Sequence, residues 1–457
     1  MTNLQPLSLF SKDSLLSNRY LMFLETPLGK LYQSIPFEEL ANLLPKKETK
    51  VGAPSWFEPS GFFGLMFLKH YTNLSDQKLI ERLNTDWAMQ FFCGMQLKIY
   101  EIIKDDGLVS RIRQYLAEHI EIEDVQRILI ANWKEDMENT HALLSDATAY
   151  ESHIKFPTDV KLLWDCVYWV YQAIFVICKE LKIKRPRSRF VEQERKQLSY
   201  NKCRKKTHKI THTRKKALLY LLNKGLGQLK EILNDHKNEI SLDEKQSIRL
   251  IYIKEVYRQQ LYMFDNHTNT VINRIVSLFK PYIRPIVRGK ENKKVEFGAK
   301  VNKSMVDGIS LIDRLSFDAF NEALELKRSI RLHNQRFGRC KQVGVDAIYG
   351  TNANRKYMKA KKIFHSLVRK GRASKYEQQE SILRSQLGKE RSTVLEGSFG
   401  NEKNHYGLSK VKARTEPTEI VWILFGIMTA NAVKISKRRA MREAPPGKAP
   451  VQLVIAA

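Results

Sequence analysis

The chain has 457 residues, 43% hydrophobic and 10% aromatic, with 21 Gly and 14 Pro; this excludes a collagen-like or wholly disordered chain and allows a sizeable core in about three domains. Seventy-eight Lys and Arg against 49 Asp and Glu leave a formal net charge of +29. Such a field attracts polyanions, nucleic acid first and an anionic membrane surface second. The five cysteines are scattered without a CxxC pair, which excludes a disulfide framework and fits a reducing compartment.

Residues 1–134 read as helical. The N-terminus lacks a basic stretch followed by an apolar one, so no signal peptide is expected. Ser75 is placed to cap a helix in which Leu79, Ile80, Leu83 and Trp87 recur at helical spacing. A second periodic stretch, LVSRIRQYLAEHI, follows Gly107. The pair offers a small DNA-binding element with Ser110, Arg111 and Arg113 near the start of its second helix; a packed bundle with a solvated basic face is the plainer reading.

HALLSDATAY then reads as a buried strand ending at Asp146, and Asp159 to Leu181 as a long helix behind the Pro157-Thr158 turn. That stretch is interrupted by Asp165 and Lys179, and Ile420 to Val433 is short. Because a membrane span needs about 20 apolar residues, both are expected to be buried core elements.

Residues 182–216 hold fifteen Lys or Arg against two acids, with Phe190, Tyr200 and three threonines interleaved. Counterion release favours phosphate binding by such a segment, and its rings could stack on bases. Arg185, Arg187, Arg189, Arg204, Lys205 and Lys206 are its candidate DNA contacts. Cys203, His208 and His212 lie close together, but zinc wants a fourth ligand and a less cationic setting. Helical periodicity continues from Leu218 to about Leu278.

In VEFGAKV, apolar Val295, Phe297, Ala299 and Val301 alternate with other residues as in a half-buried strand, and Asp307-Gly308 turns it into a second strand, ISLID. Arg288 and Lys290, just before it, are further candidate DNA contacts. A helical stretch around Phe317 to Leu326 precedes QVGVDAIYG, a strand ending at Asp346, with Thr351 or Asn352 capping the next helix. No GxxxxGK[ST] occurs, so an ATP-driven motor is not expected.

Three acids stand out: Asp146 and Asp346 at strand ends, and Glu396 just before a helical stretch. Carboxylates without His or Cys favour hard cations such as Mg²⁺ or Mn²⁺, and two such ions suit an in-line phosphoryl displacement. Spacing alone makes this a weak signal in a chain with 49 acids.

The chain also resembles bacterial insertion-sequence transposases of the DDE type over most of its length. GAPSWFEPSGFFGLMFLKHYTNLSDQKLIERLNTDWAMQFFCG and the later LVSRIR resemble their N-terminal helical domain. SDATAYESHIKFPTDVKLL, VGVDAIYGTNANRKYM and LEGSFGNEKNHYGL resemble the segments of the catalytic acids, which map to Asp146, Asp346 and Glu396. VEFGAKV and DGISLID resemble the second and third strands. Lys403 follows Glu396 after six residues, the signature of one large branch. That branch places Arg four residues before the Glu and Tyr three before that; here Ser392 and Lys389 stand there, and Arg391 lies five residues before. On an ideal helix that offset is about 140° from the Glu, so Arg391 reaches phosphate only if the helix is irregular. Lys403 lies on nearly the same face as Glu396.

The resemblance implies an α/β fold: an all-α DNA-binding domain over 1–134, an RNase H-like catalytic domain over 135–435 with a helical basic insertion at about 160–290, and a poorly ordered basic tail over 436–457. It implies two Mg²⁺ (or Mn²⁺) ions held by Asp146, Asp346 and Glu396, hydrolysis at the element ends, and attack of the freed 3′-OH on target DNA. The insertion would feed DNA towards the acids, with Arg391 and Lys403 on phosphate. The expected partner is double-stranded DNA, not a membrane, with a homodimer in the DNA complex and a cytoplasmic, nucleoid-associated location. A repurposed, inactive transposase that only binds DNA, and an RNase H-like nuclease that cuts without joining, are the alternatives.

Overall fold

The computed structural model describes residues 15–45, 55–98, 100–287 and 295–443. Arg288 and Lys290 lie outside them. The chain divides at 153/154 and 298/299 into two compact units, the first discontinuous in sequence. The division does not fall at residue 134: the N-terminal helices and the residues from 299 onward share one unit.

Among the described residues the first unit opens with the helices α1 (Leu15–Glu25), α2 (Pro27–Gln33), α3 (Phe37–Ala41), α4 (Pro59–Thr72), α5 (Asp76–Leu83), α6 (Trp87–Phe92), α7 (Leu108–His119) and α8 (Ile122–Trp133), followed by strand β1 (Ala142–Glu151). Ser75 caps α5, its hydroxyl accepting from the Lys78 N–H. Asp86 interrupts the periodic stretch by capping α6, accepting from the Ala88 and Met89 N–H groups. Arg113, expected near a DNA-binding face, is 3% exposed. It bonds both carboxylate oxygens of Asp76 at 3.1 Å and lies 4.6 Å from the Trp422 ring centre. A buried guanidinium needs such a partner, so Arg113 holds α7 to α5.

The second unit comprises α9 (Asp159–Glu180), α10 (Phe190–Lys202), α11 (His208–Asp235), α12 (Glu244–Asp265), β2 (Pro285–Val287) and the start of β3 (Val295–Val306). β2 pairs antiparallel with Val295–Phe297. Thr158 caps α9, whose Leu163, Val167, Val170 and Ile174 pack in one core with Leu218 and Leu222 of α11. Phe190, expected to stack on bases, is in that core, with its ring stacked on Trp164 at 5.7 Å. Two basic residues of the 182–216 segment also face inward: Arg214 bonds Gln193 and Gln197, and Lys215 pairs with Asp159 at 2.9 Å. Helix ends at Asp265, short of the periodicity read to Leu278.

The first unit resumes with β4 (Ile309–Ser316), α13 (Glu322–Phe337), β5 (Gln342–Val345), α14 (Asn352–Ala360), β6 (Phe364–His365), α15 (Glu377–Glu390), α16 (Glu396–His405) and α17 (Glu416–Glu443). Its sheet runs β4-β3-β1-β5-β6. β3 and β4 are antiparallel, joined by Asp307 and Gly308 at φ 48° and 77°, as a tight hairpin requires. β1, β5 and β6 run parallel. The alternation in VEFGAKV forecasts a half-buried strand, yet β3 is buried on both faces from Gly298 onward. Its polar side chains find partners instead: Lys300 with Glu322, Asn302 with Ser329 and Tyr349, Ser304 with Asp313.

α9 and α17 are long and apolar enough to span a bilayer by length and composition, but half of α9's most apolar stretch and 83% of α17's are buried within the protein. α17 continues to Glu443, beyond the residue 436 at which a disordered tail was expected. Its last turns are held by ion pairs, Arg438 to Asp307 and Arg439 and Arg442 to Asp136. Residues 444–457 of that expected tail lie outside the described residues.

Candidate active site

Asp146 sits in the middle of β1, not at its end, because the strand runs on to Glu151. β1 and β5 pair in parallel with Ser145 opposite Val345. Asp146 follows Ser145 within β1 and Asp346 follows Val345 just past the end of β5, so the chain positions of the two aspartates are neighbours on adjacent parallel strands, close enough for the Asp346 charge to act on Asp146. Asp346 terminates β5 by capping the short turn Ala347–Tyr349. Each aspartate accepts from the N–H of the alanine that follows it, at 2.8 Å for Asp146 and 2.7 Å for Asp346. Asp346 is exposed, whereas the Asp146 side chain is only 15% exposed.

Glu396 comes to Asp146 from the far side of the chain through an irregular turn. Arg391–Leu395 forms a π-helical segment between α15 and α16, with the Glu396 N–H bonding the Arg391 carbonyl five residues back. That wider turn puts residues five apart onto one face, which a regular helix does not. Arg391 Nη1 then bonds Asp146 Oδ2 and Glu396 Oε1, both at 2.9 Å. The π turn thus brings Arg391 within bonding distance of a glutamate five residues away.

Lys403 lies two turns after Glu396, half-buried, its Nζ donating to Thr148 Oγ1 at 3.3 Å and lying 5.7 Å from the Tyr150 ring centre. Asp146, Thr148 and Tyr150 alternate along β1 and share one face, so Lys403 and the acids line the same side of the sheet.

Burial pushes the Asp146 carboxyl above its ordinary range; the Ala147 N–H and the Arg391 cation oppose this, and the charges of Glu322 and Asp346 add to it. Glu322 escaped the sequence reading. It opens α13, is mostly buried and pairs with Lys300 at 2.8 Å. Nothing in its local pattern distinguishes it from any helix-initiating acid.

Asp146, Asp346 and Glu396 offer only oxygen atoms, the chemistry of a hard cation. Two of the carboxylates already share one positive centre, the Arg391 guanidinium. Among the described residues, no three metal-ligating side chains stand together as a ready cage, and Cys203, His208 and His212 form none.

The remaining candidates lie in the second unit. Arg185, Arg187, Arg189, Arg204, Lys205 and Lys206 are all exposed. Arg185 covers the Phe175 ring at 4.8 Å, and Lys206 bonds the Cys203 carbonyl at 2.8 Å.

The family described as Transposase domain (DUF772) matches residues 18–115, from α1 into α7. That match supports a transposase, and with it a DNA-processing enzyme. No curated protein and no solved structure matches the chain.

Proposed function

We propose that the chain is a DDE-type DNA transposase with an RNase H-like catalytic domain, which binds the ends of its own genetic element, cleaves them and joins the 3′-OH to target DNA. The observation that carries this reading is the Arg391 guanidinium bonding both Asp146 and Glu396, with Asp346 directly after the strand that pairs in parallel with the Asp146 strand. The strand order β4-β3-β1-β5-β6, with β3 and β4 antiparallel to each other and β5 and β6 parallel to the central β1 that carries the first acid, supports the fold assignment. The transposase-domain match supports the class.

In this reading Asp146, Asp346 and Glu396 hold Mg²⁺ or Mn²⁺. When bound, the ions supply an activated water or 3′-OH and neutralise charge on the phosphate. The chain's own residues do the rest. Arg391 offsets the charges of Asp146 and Glu396 in the resting site and turns to a phosphate oxygen when DNA enters. Lys403 places a second cation on the same face. The exposed arginines and lysines of 185–206 hold the duplex through its phosphates, which fixes position without reading sequence. Two ends must be cut together, so the working form is a homodimer on DNA in the cytoplasm.

The test is an Asp346→Ala variant on DNA bearing the element ends. Cleavage should disappear while binding to the ends remains. Full strand cleavage by this variant would overturn the assignment.

A further inference from the structure

The helix that carries Glu396 and Lys403 is poorly equipped to hold its own position. α16 reads EGSFGNEKNH, with two glycines and a single large apolar residue. Glycine costs helix stability, and an amphipathic helix is normally fixed by an apolar stripe. Within α16 the one buried residue is Glu402. Leu395, just before the helix, packs with Leu144 and Met305, and Phe399 covers that small cluster. On the side facing α17 a cavity of about 210 Å³ remains, lined by Gly397, Ser398 and Asn401 with Ala430, Asn431 and Lys434.

Glu402 is 1% exposed and is clamped from two strands. Lys303 of β3, fully buried, places Nζ 2.5 Å from Glu402 Oε1. The same Nζ lies 3.2 Å from Ser398 Oγ and 4.6 Å from the Phe399 ring centre. Tyr150 of β1, also fully buried, donates its hydroxyl to Glu402 Oε2. Burial pushes the Lys303 ammonium down and the Tyr150 phenol up, with the Glu402 charge opposing the first shift and adding to the second.

On a helical wheel Ser398 and Glu402 point to one side of α16, Glu396 and Lys403 to another. The first pair meets Lys303, while the second meets Asp146 through Arg391, and Thr148. Desolvating two charges is expensive, and an apolar set of similar volume often serves stability as well or better. Stability alone therefore does not account for this cluster.

We propose that Lys303, Tyr150 and Glu402 form a positioning device that sets the rotation and height of α16 and so delivers Glu396 and Lys403 to the face of β1 carrying Asp146. These are positioning residues: they touch the helix, not the DNA. The proposal rests on the reading of Asp146 and Glu396 as catalytic.

The test replaces the whole cluster by apolar residues, Lys303→Met, Tyr150→Phe and Glu402→Leu together. The substrate is a supercoiled plasmid carrying the gene for this chain with its flanking DNA, in Mg²⁺. The expected result is a folded protein with a melting temperature at or above that of the wild type and unchanged affinity for the plasmid. Its cleavage rate should fall by about 100-fold, the cost of a misplacement on the order of 1 Å, and the amides of α16 should exchange faster. A stable triple variant that cleaves at the wild-type rate overturns the proposal.

If the triple variant fails to fold, Tyr150→Phe alone, which removes one bond to Glu402, should slow cleavage several-fold without lowering affinity; an unchanged rate and unchanged α16 exchange overturn the proposal. Glu396→Gln in parallel separates the two readings. If it cleaves as the wild type, the catalytic assignment falls, and the anchoring of α16 is then judged by amide exchange alone, where slow exchange in the triple variant overturns it.

Discussion

Arg391→Gln removes the guanidinium that bridges Asp146 and Glu396 and leaves a shorter, neutral side chain in its place. Nη1 makes a 2.9 Å bond to each carboxylate. The arm to Asp146 joins side chains 16% and 15% exposed, and a hydrogen bond to a charged group in that setting is worth about 1.5–3 kcal/mol. The arm to Glu396 meets a half-exposed carboxylate and adds at most about 1 kcal/mol. The metal-free variant should therefore be about 2–3 kcal/mol less stable near neutral pH. Its pH dependence has a definite sign. Asp146 keeps its burial and its neighbours Glu322 and Asp346 but loses an opposing cation, so its folded pKa, already raised, rises further. A carboxyl with a raised folded pKa costs stability while ionised, and the cost fades as pH falls through that pKa towards the unfolded value. The deficit should be largest at about pH 8 and shrink at acid pH. Urea denaturation in EDTA at several pH values, followed by circular dichroism, reads this directly. A variant as stable as the wild type at alkaline pH, or a deficit that grows on acidification, would refute the reasoning.

Other expectations follow from the same contacts. A Cβ added at Gly344 would lie 2.5 Å from Leu144 Cδ2 and 3.1 Å from the Leu387 carbonyl oxygen of α15. Gly344→Ala should therefore cost about 1–3 kcal/mol by overpacking, measured by thermal unfolding, and it should slow cleavage by displacing the turn that presents Arg391. Replacing Arg185, Arg187 and Arg189 by alanine should cost at most about 1 kcal/mol, since all three are exposed and only the Arg185 contact with the Phe175 ring is lost. If each contacts a phosphate, the slope of log K against log salt should fall by about 0.9 per residue lost, read by fluorescence anisotropy on duplex DNA. An unchanged slope would remove them from the DNA-binding surface.

The parts of the fold that local chemistry dictates were legible in the sequence. The Asp307-Gly308 turn, the Ser75, Thr158 and Thr351 caps and the end of β5 at Asp346 all follow from residue type and spacing, whereas Asp146 was read as a strand end and lies mid-strand. What long-range contacts decide was not. Phe190 lies in a basic run yet is drawn into the α9–α11 core, because Trp164 offers it a stacking partner. Arg113 reads as a surface base until Asp76 and Trp422 enclose it. The Arg391 contact is hidden from any 3.6-residue pattern because a π turn makes it. Nothing in the local pattern around Lys303 or Glu402 marks a buried pair, and only the packing of α16 against β3 brings the two charges together. The tail was expected to be disordered from 436 because it is basic, but Asp136 and Asp307 neutralise those same arginines.

The most direct test of the transposase reading is a cleavage and joining assay on DNA carrying the ends of the chain's own genetic element. Wild type and Glu396→Ala would be compared in Mg²⁺ and in EDTA. Nicks at the element ends and joined product should form with wild type in Mg²⁺ and vanish with either the alanine or the chelator. Tight binding to the ends with no cleavage by either protein would contradict the reading and leave a DNA-binding protein in its place.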